Sequence, residues 1–171
     1  MAQLPEEILR NRLTNEIARC QRQLEHKFEI ENPDLKTFPV IIHVTLRRCP
    51  GPIYDRDMVR HKFSHNFTMR ITKYYPYQKP IVTWESEIFH PNIKMPQNGG
   101  QVCSVLLDNW GFNSNLLFFI RGLESLLANP NPGNPFGTDS CTMAAQWFHK
   151  HPYRPPSIVK SMHHGPKIIG Q

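Results

Sequence analysis

The chain has 171 residues, 39% of them hydrophobic and 20% charged, and a formal charge of +6. That length suits one domain with its own core, and that balance excludes a disordered or fibrous chain. No apolar run reaches transmembrane length, and Met1 to Arg10, with Glu6 and Glu7, lacks the apolar segment of a secretory signal, so a cytoplasmic setting without membrane contact is expected.

Residues 5–27 read as an amphipathic helix, with Leu9, Leu13, Ile17, Cys20 and Leu24 at helical spacing. Pro5, Glu6 and Glu7 suit its first turn, and Arg12, Glu16, Arg19 and Arg22 fall on the other face. From Phe38 the period drops to two: Val40, Ile42, Val44 and Leu46 alternate with Ile41, His43, Thr45 and Arg47 in a strand, which Cys49-Pro50-Gly51-Pro52 breaks. Residues 58–65 form a weaker second strand, Phe67, Met69 and Ile71 mark a third, and 81–84 make a fourth. Short links imply an antiparallel meander. Tyr75-Pro76 and Lys79-Pro80 punctuate the loop before the fourth strand.

Residues 88–113 carry Pro91, Pro96, Gly99, Gly100 and Gly111 and read as one long irregular loop, which in a compact domain points to function. Ser114 can cap a helix running to about Ala128, whose apolar face holds Leu116, Leu117, Ile120, Leu123, Leu126 and Leu127. Residues 129–135 end it, and a third helix is expected from Thr138 or Asp139 to near Lys150. Residues 1–150 then form an α+β domain. Residues 151–171 form a proline-containing basic tail, extended or mobile, in a stretch with no acid after Asp139.

Cys20, Cys49, Cys103 and Cys141 are scattered, with no Cys-x-x-Cys pair, so a zinc ribbon or redox dithiol is not expected and no metal site is predicted. Cys20, Cys49 and Cys141 read as small buried hydrophobes, and Trp84, Trp110 and Trp147 as core. Cys103 differs, because the glycines before it leave its backbone open to large partners. Accessibility and thiolate character would make it reactive, and a side-chain amide nearby could donate to an oxyanion. Spacing alone makes this a weak signal.

Four segments strengthen it: Tyr75-Pro76-Tyr77-Gln78-Lys79-Pro80; His90-Pro91-Asn92 followed by Cys103; Leu126-Leu127-Ala128-Asn129-Pro130-Asn131-Pro132 with Asn134-Pro135; and Met143-Ala144-Ala145. In this order they resemble the ubiquitin-conjugating enzymes, over roughly residues 8–150. The resemblance implies that family's fold: an N-terminal helix, a four-stranded meander, an active-site loop and two further helices, with the C-terminal helices reduced or absent. It implies that Cys103 takes the C-terminal glycine of ubiquitin, or of a ubiquitin-like protein, from an activating enzyme as a thioester, which a substrate lysine then attacks. Asn92 would stabilise the oxyanion or brace the loop, and His90 and Pro91 would be structural. Asn134 occupies the position of an acid that orients or deprotonates the amine. It can bond the amine but not take its proton, which leaves Asp108, Asp139 or desolvation to help.

By the same resemblance Arg12, Arg19 and Arg22 meet the activating enzyme, while Tyr77 and Phe112 dock a ligase of RING type. No cofactor is expected, since ATP is used by the activating enzyme. The chain also departs from the pattern. The spacing from His90 to Cys103 is a few residues longer, with Lys94 to Gly100 enlarging the loop. Ser104 follows the cysteine, and Gly111-Phe112 replaces a common Ser-Pro. These changes suggest a divergent, archaeal-type branch. Two alternatives stand beside this reading. One is an inactive ubiquitin-binding variant of the fold, which Cys103 in register with Asn92 opposes. The other is a basic nucleic-acid-binding protein, for which no recognition motif is present.

Overall fold

The computed structural model describes residues 1–103 and 109–158. Helix α1 (Glu6–Gln23) leads into strands β1 (Lys27–Ile30), β2 (Val40–Leu46), β3 (Gly51–Asp55), β4 (Met58–Lys62), β5 (His65–Ile71) and β6 (Ile81–Trp84). Helices α2 (Leu116–Ala128) and α3 (Asp139–Lys150) follow. Strands β1, β2, β5 and β6 form one antiparallel sheet in that order, and β3 and β4 form a separate hairpin.

Helix α1 ends before the expected residue 27. Leu24 is extended (φ −113°), and its N–H closes the helix on Cys20 O at 2.9 Å. It continues the helical apolar spacing, but from Lys27 the period becomes two, and Phe28 and Ile30 pair with Val44 and Ile42. This short strand, absent from the sequence reading, is the first of the sheet. The segment expected as the second strand of the meander instead supplies β4 to the hairpin. Arg56 and Asp57, both at positive φ (48° and 62°), turn that hairpin.

Val40, Ile42, Val44, Leu46, Phe67, Met69 and Ile71 line one face of the sheet, all 1% exposed or less. They join the inward residues of α1 and α2 in one core with Trp84. Burying each aliphatic side chain stabilises the fold by about 1.5–3 kcal/mol. Asn115, rather than Ser114, caps α2 by accepting from Phe118 N–H. The Ser114 hydroxyl accepts from Gly111 N–H at 3.0 Å. Thr138 caps α3.

Behind α3 the chain is tied down as far as Tyr153, whose hydroxyl bonds His61 Nδ1 at 2.9 Å and whose ring meets Phe148 edge-on. Trp147 departs from its expected core position. It is 37% exposed and stacks on His151, while Phe148 takes the buried position.

Candidate active site

The loop after β6 is anchored by a buried polar cluster. His90 is fully buried; its Nε2–H donates to Leu126 O at 2.8 Å, and its Nδ1 accepts from Asn92 N–H at 3.0 Å. Burial lowers its pKa to about 4, so both ring nitrogens hold structure and neither is free to serve as a base. Pro91 O accepts from Phe136 N–H at 3.0 Å. Asn92 is 2% exposed. Its Nδ2 donates to Asn131 O and Asn134 O, both at 3.1 Å, and its Oδ1 accepts from Asn131 N–H at 2.7 Å.

Both amide hydrogens of Asn92 are thus committed to backbone carbonyls. Of the two roles implied for this residue, the geometry fits the brace, joining the cysteine loop to the α2–α3 loop. An oxyanion donor needs a free N–H. Asn134 offers its carbonyl to that brace, and its side chain is exposed.

The backbone sets the position of Cys103. Ile93 bridges Val102, Thr83 bridges Gln101, Lys94 N–H donates to Gln101 O (2.9 Å), and Cys103 N–H donates to Asn92 O (2.8 Å). The enlarged segment bulges from this ladder as one 3₁₀ turn, Pro96–Asn98. It returns through Gly100, at φ +65°, whose carbonyl accepts from Trp84 N–H at 2.8 Å. A Cβ at Gly100 would lie 2.3 Å from Trp84 O, so only glycine fits.

Cys103 is half-buried and opens into a cleft of about 480 Å³ between Gln78–Val82 and Phe136. The other cysteines are held as thiols. Burial pushes Cys20 up to about 11 and Cys49 to about 12, and it raises Cys141.

A family model described as "Ubiquitin-conjugating enzyme" matches residues 12–154. The chain belongs to the ubiquitin-conjugating enzyme family. It is 33% identical over 84 residues to NEDD8-conjugating enzyme UBC12 of Saccharomyces cerevisiae, covering 48% of this chain and 43% of that one. It is 31% identical over 108 residues to Nedd8-conjugating enzyme UbcE2M of Drosophila melanogaster, covering 63% and 52%. With Ubiquitin conjugating enzyme E2 B of Dictyostelium discoideum the identity is 32% over 65 residues, covering 38% and 43%. The chain therefore spans about half or less of the length of these curated relatives. The solved structure of S. cerevisiae Ubc12 superposes with a TM-score of 0.60 at 25% identity, over 80% of this chain and 71% of that one. The E2 domain of a Toxoplasma gondii ubiquitin conjugating enzyme gives 0.61 at 22% identity, over 82% and 86%, which supports the fold.

As a member of this family, the chain has expected partner surfaces that divide by geometry. Arg19 and Arg22 are exposed on α1. Arg12 differs from them in being bonded into the fold. Its Nε donates to Glu16 at 2.9 Å, and Nη2 donates to Phe112 O at 2.7 Å and Ser114 O at 2.8 Å. Its guanidinium also lies over the Phe112 ring at 5.1 Å. Glu16 completes the clamp by accepting from Tyr75 O–H and Leu116 N–H. The sequence pattern gave no sign of this role, since Glu16 looked like part of a solvated face. The clamp holds an apolar edge on which Tyr77 and Phe112 are 46% and 48% exposed with rings 5.6 Å apart.

Trp110 sits beneath that edge, its Nε1–H on Pro76 O at 2.6 Å. Asp139 opens α3, whereas Ser104 and Asp108 lie outside the described residues. Among the described residues, His26, Cys49 and Glu124 bring potential metal-ligating atoms within 4.8 Å of one another. His26 Nδ1, however, accepts from Arg47 N–H at 3.0 Å, so Nε2 keeps its proton for Glu124 and has no lone pair for an ion. His26 and Glu124 thus form a hydrogen-bonded tie between α2 and the start of the sheet, while the Cys49 thiol donates to Arg47 O at 3.4 Å. No helix among the described residues is long and apolar enough to cross a membrane.

Proposed function

We propose that this chain carries ubiquitin or a ubiquitin-like protein as a thioester on Cys103 and delivers it to a substrate lysine. The observation that carries this reading is the placement of Cys103. It is clamped to Asn92 through its backbone N–H, while its side chain opens on the cleft. In charging, the Cys103 thiolate attacks the thioester carbonyl of the modifier bound to its activating enzyme. The new C–S bond replaces the old one, and the activating enzyme's thiolate leaves. In discharge, an amine nitrogen attacks the same carbon. The amide C–N bond forms, the bond to Cys103 breaks, the Cys103 thiolate leaves, and the amine's proton passes to solvent.

A thioester is already activated, so positioning and charge stabilisation matter more than a strong base. With asparagine at 134, the apolar part of the cleft, Pro80, Ile81, Val82 and Phe136, supports desolvation as what lowers the amine's pKa from its reference near 10.4. The chain uses no cofactor of its own, and ATP is consumed by the activating enzyme. Exposed Arg19 and Arg22 support electrostatic docking of that enzyme, and the Tyr77–Phe112 edge supports docking of a RING-type ligase. The relatives named for NEDD8 make it a candidate modifier beside ubiquitin.

The test incubates the chain with ATP and purified activating enzymes for ubiquitin and NEDD8 in turn, and reads a reductant-sensitive gel shift. Cys103→Ser is expected to trap a reductant-resistant oxyester, while the Cys20→Ser, Cys49→Ser and Cys141→Ser variants still charge. Full charging of Cys103→Ala would falsify the assignment.

A further inference from the structure

Resting on the reading above, we propose that Lys94 selects the acceptor, favouring lysines set among acidic residues. Lys94 stands where the enlarged loop leaves the ladder. Its backbone N–H is fixed on Gln101 O at 2.9 Å. Its half-buried side chain reaches back toward the cleft: Nζ donates to Gln101 Oε1 at 2.6 Å and lies 4.9 Å from the centre of the Phe136 ring. Gln101 and Phe136 both line the Cys103 cleft, so the ammonium stands at its edge.

Among the described residues no aspartate or glutamate lines the same cleft. The two contacts seen for the Lys94 ammonium are a neutral amide and an aromatic face. An acceptor lysine enters this site as a cation. With basic neighbours it meets like charge. With a carboxylate close by in its own sequence, it brings a partner for Lys94 in a charge-assisted hydrogen bond. The bulge thus begins with a residue placed to read the acceptor's charge.

The experiment measures single-turnover discharge of the preformed Cys103 thioester, with whichever modifier charges, onto three peptides of equal length. Their single lysine is flanked by Asp/Glu, by Ser/Gly or by Lys/Arg. The readout is the ratio of second-order rate constants within each protein, which cancels any loss of active material. Wild type is expected to prefer the acidic over the neutral peptide by about twofold to fivefold, with the basic peptide slowest, and the preference should shrink at high salt. Lys94→Arg should keep the ratio, Lys94→Gln should bring it near unity and Lys94→Glu should invert it. Equal rates for all three peptides with wild type, or an unchanged ratio in Lys94→Glu, overturn the proposal while leaving the thioester reading intact. A chain that never charges overturns that reading and this one with it.

Discussion

Asn92 carried two possible tasks, oxyanion donor or brace, and its hydrogen bonds favour the second. Its motif, His90-Pro91-Asn92 ahead of a cysteine, was legible, but its partners Asn131 and Asn134 lie about forty residues further on, and no local pattern announces that both amide hydrogens go to their carbonyls. Removing the amide would leave Asn131 N–H and two part-buried carbonyls without this partner, at a cost of about 1–3 kcal/mol. Asn92→Ala should therefore lower stability by that amount in denaturant unfolding. It should also slow charging and discharge together, because both steps depend on the loop that carries Cys103. Normal charging with selectively slow discharge to a small amine would restore the oxyanion role. Trp147 teaches a related point. Met143, Ala144, Ala145, Trp147 and Phe148 place apolar groups around most of α3, so the helical period could not say which aromatic faces inward.

At the scale of elements, the long periodic segments were readable and the junctions were not. Helices α2 and α3 fall within a residue or two of their expected bounds, since Asn115 and Thr138 are ordinary caps. Strand β1 escaped because Leu24 keeps the helical phase and no glycine or proline stands between α1 and Lys27. Its pairing partners become visible only once β2 lies beside it. The polar face of α1 likewise splits on folding into a clamp and a free surface. Glu16→Gln keeps the shape but weakens three charge-assisted contacts, to Arg12, Tyr75 and Leu116 N–H. It should destabilise the fold by about 1–3 kcal/mol and blunt ligase-stimulated discharge more than charging. Charge reversal at Arg19 and Arg22 should do the opposite, slowing charging and flattening its salt dependence with little effect on stability. Charging that stays unchanged at low salt in the Arg19/Arg22 variant would leave that face as solvated surface only.

The whole molecule carries a pH liability in its core. Burial lowers the pKa of both His90 and His65 from 6.5 to about 4. A histidine depressed in the folded state binds its proton more tightly when unfolded. The stability tied to its neutral form is therefore complete above pH 6.5 and is lost as pH falls toward 4. A gap of that size corresponds to roughly 3 kcal/mol per residue. Urea midpoints taken from neutral pH downward should fall through that window. His65→Phe, which keeps a ring against Trp84 (5.5 Å in the native pair), should remove part of the slope. A slope identical to wild type would remove His65 from the account.

The ladder beside Cys103 has a consequence for how such a protein can change over generations. Both ends of the bulge are fastened by main-chain bonds, Ile93 opposite Val102 and Trp84 to Gly100. What lies between can lengthen, shorten or exchange its side chains without the nucleophile being repositioned. Met95 packs against the core and Gly99 sits at φ +100°, so the exposed turn between them, Pro96–Asn98, is a natural grafting point where new recognition can be written into an old scaffold.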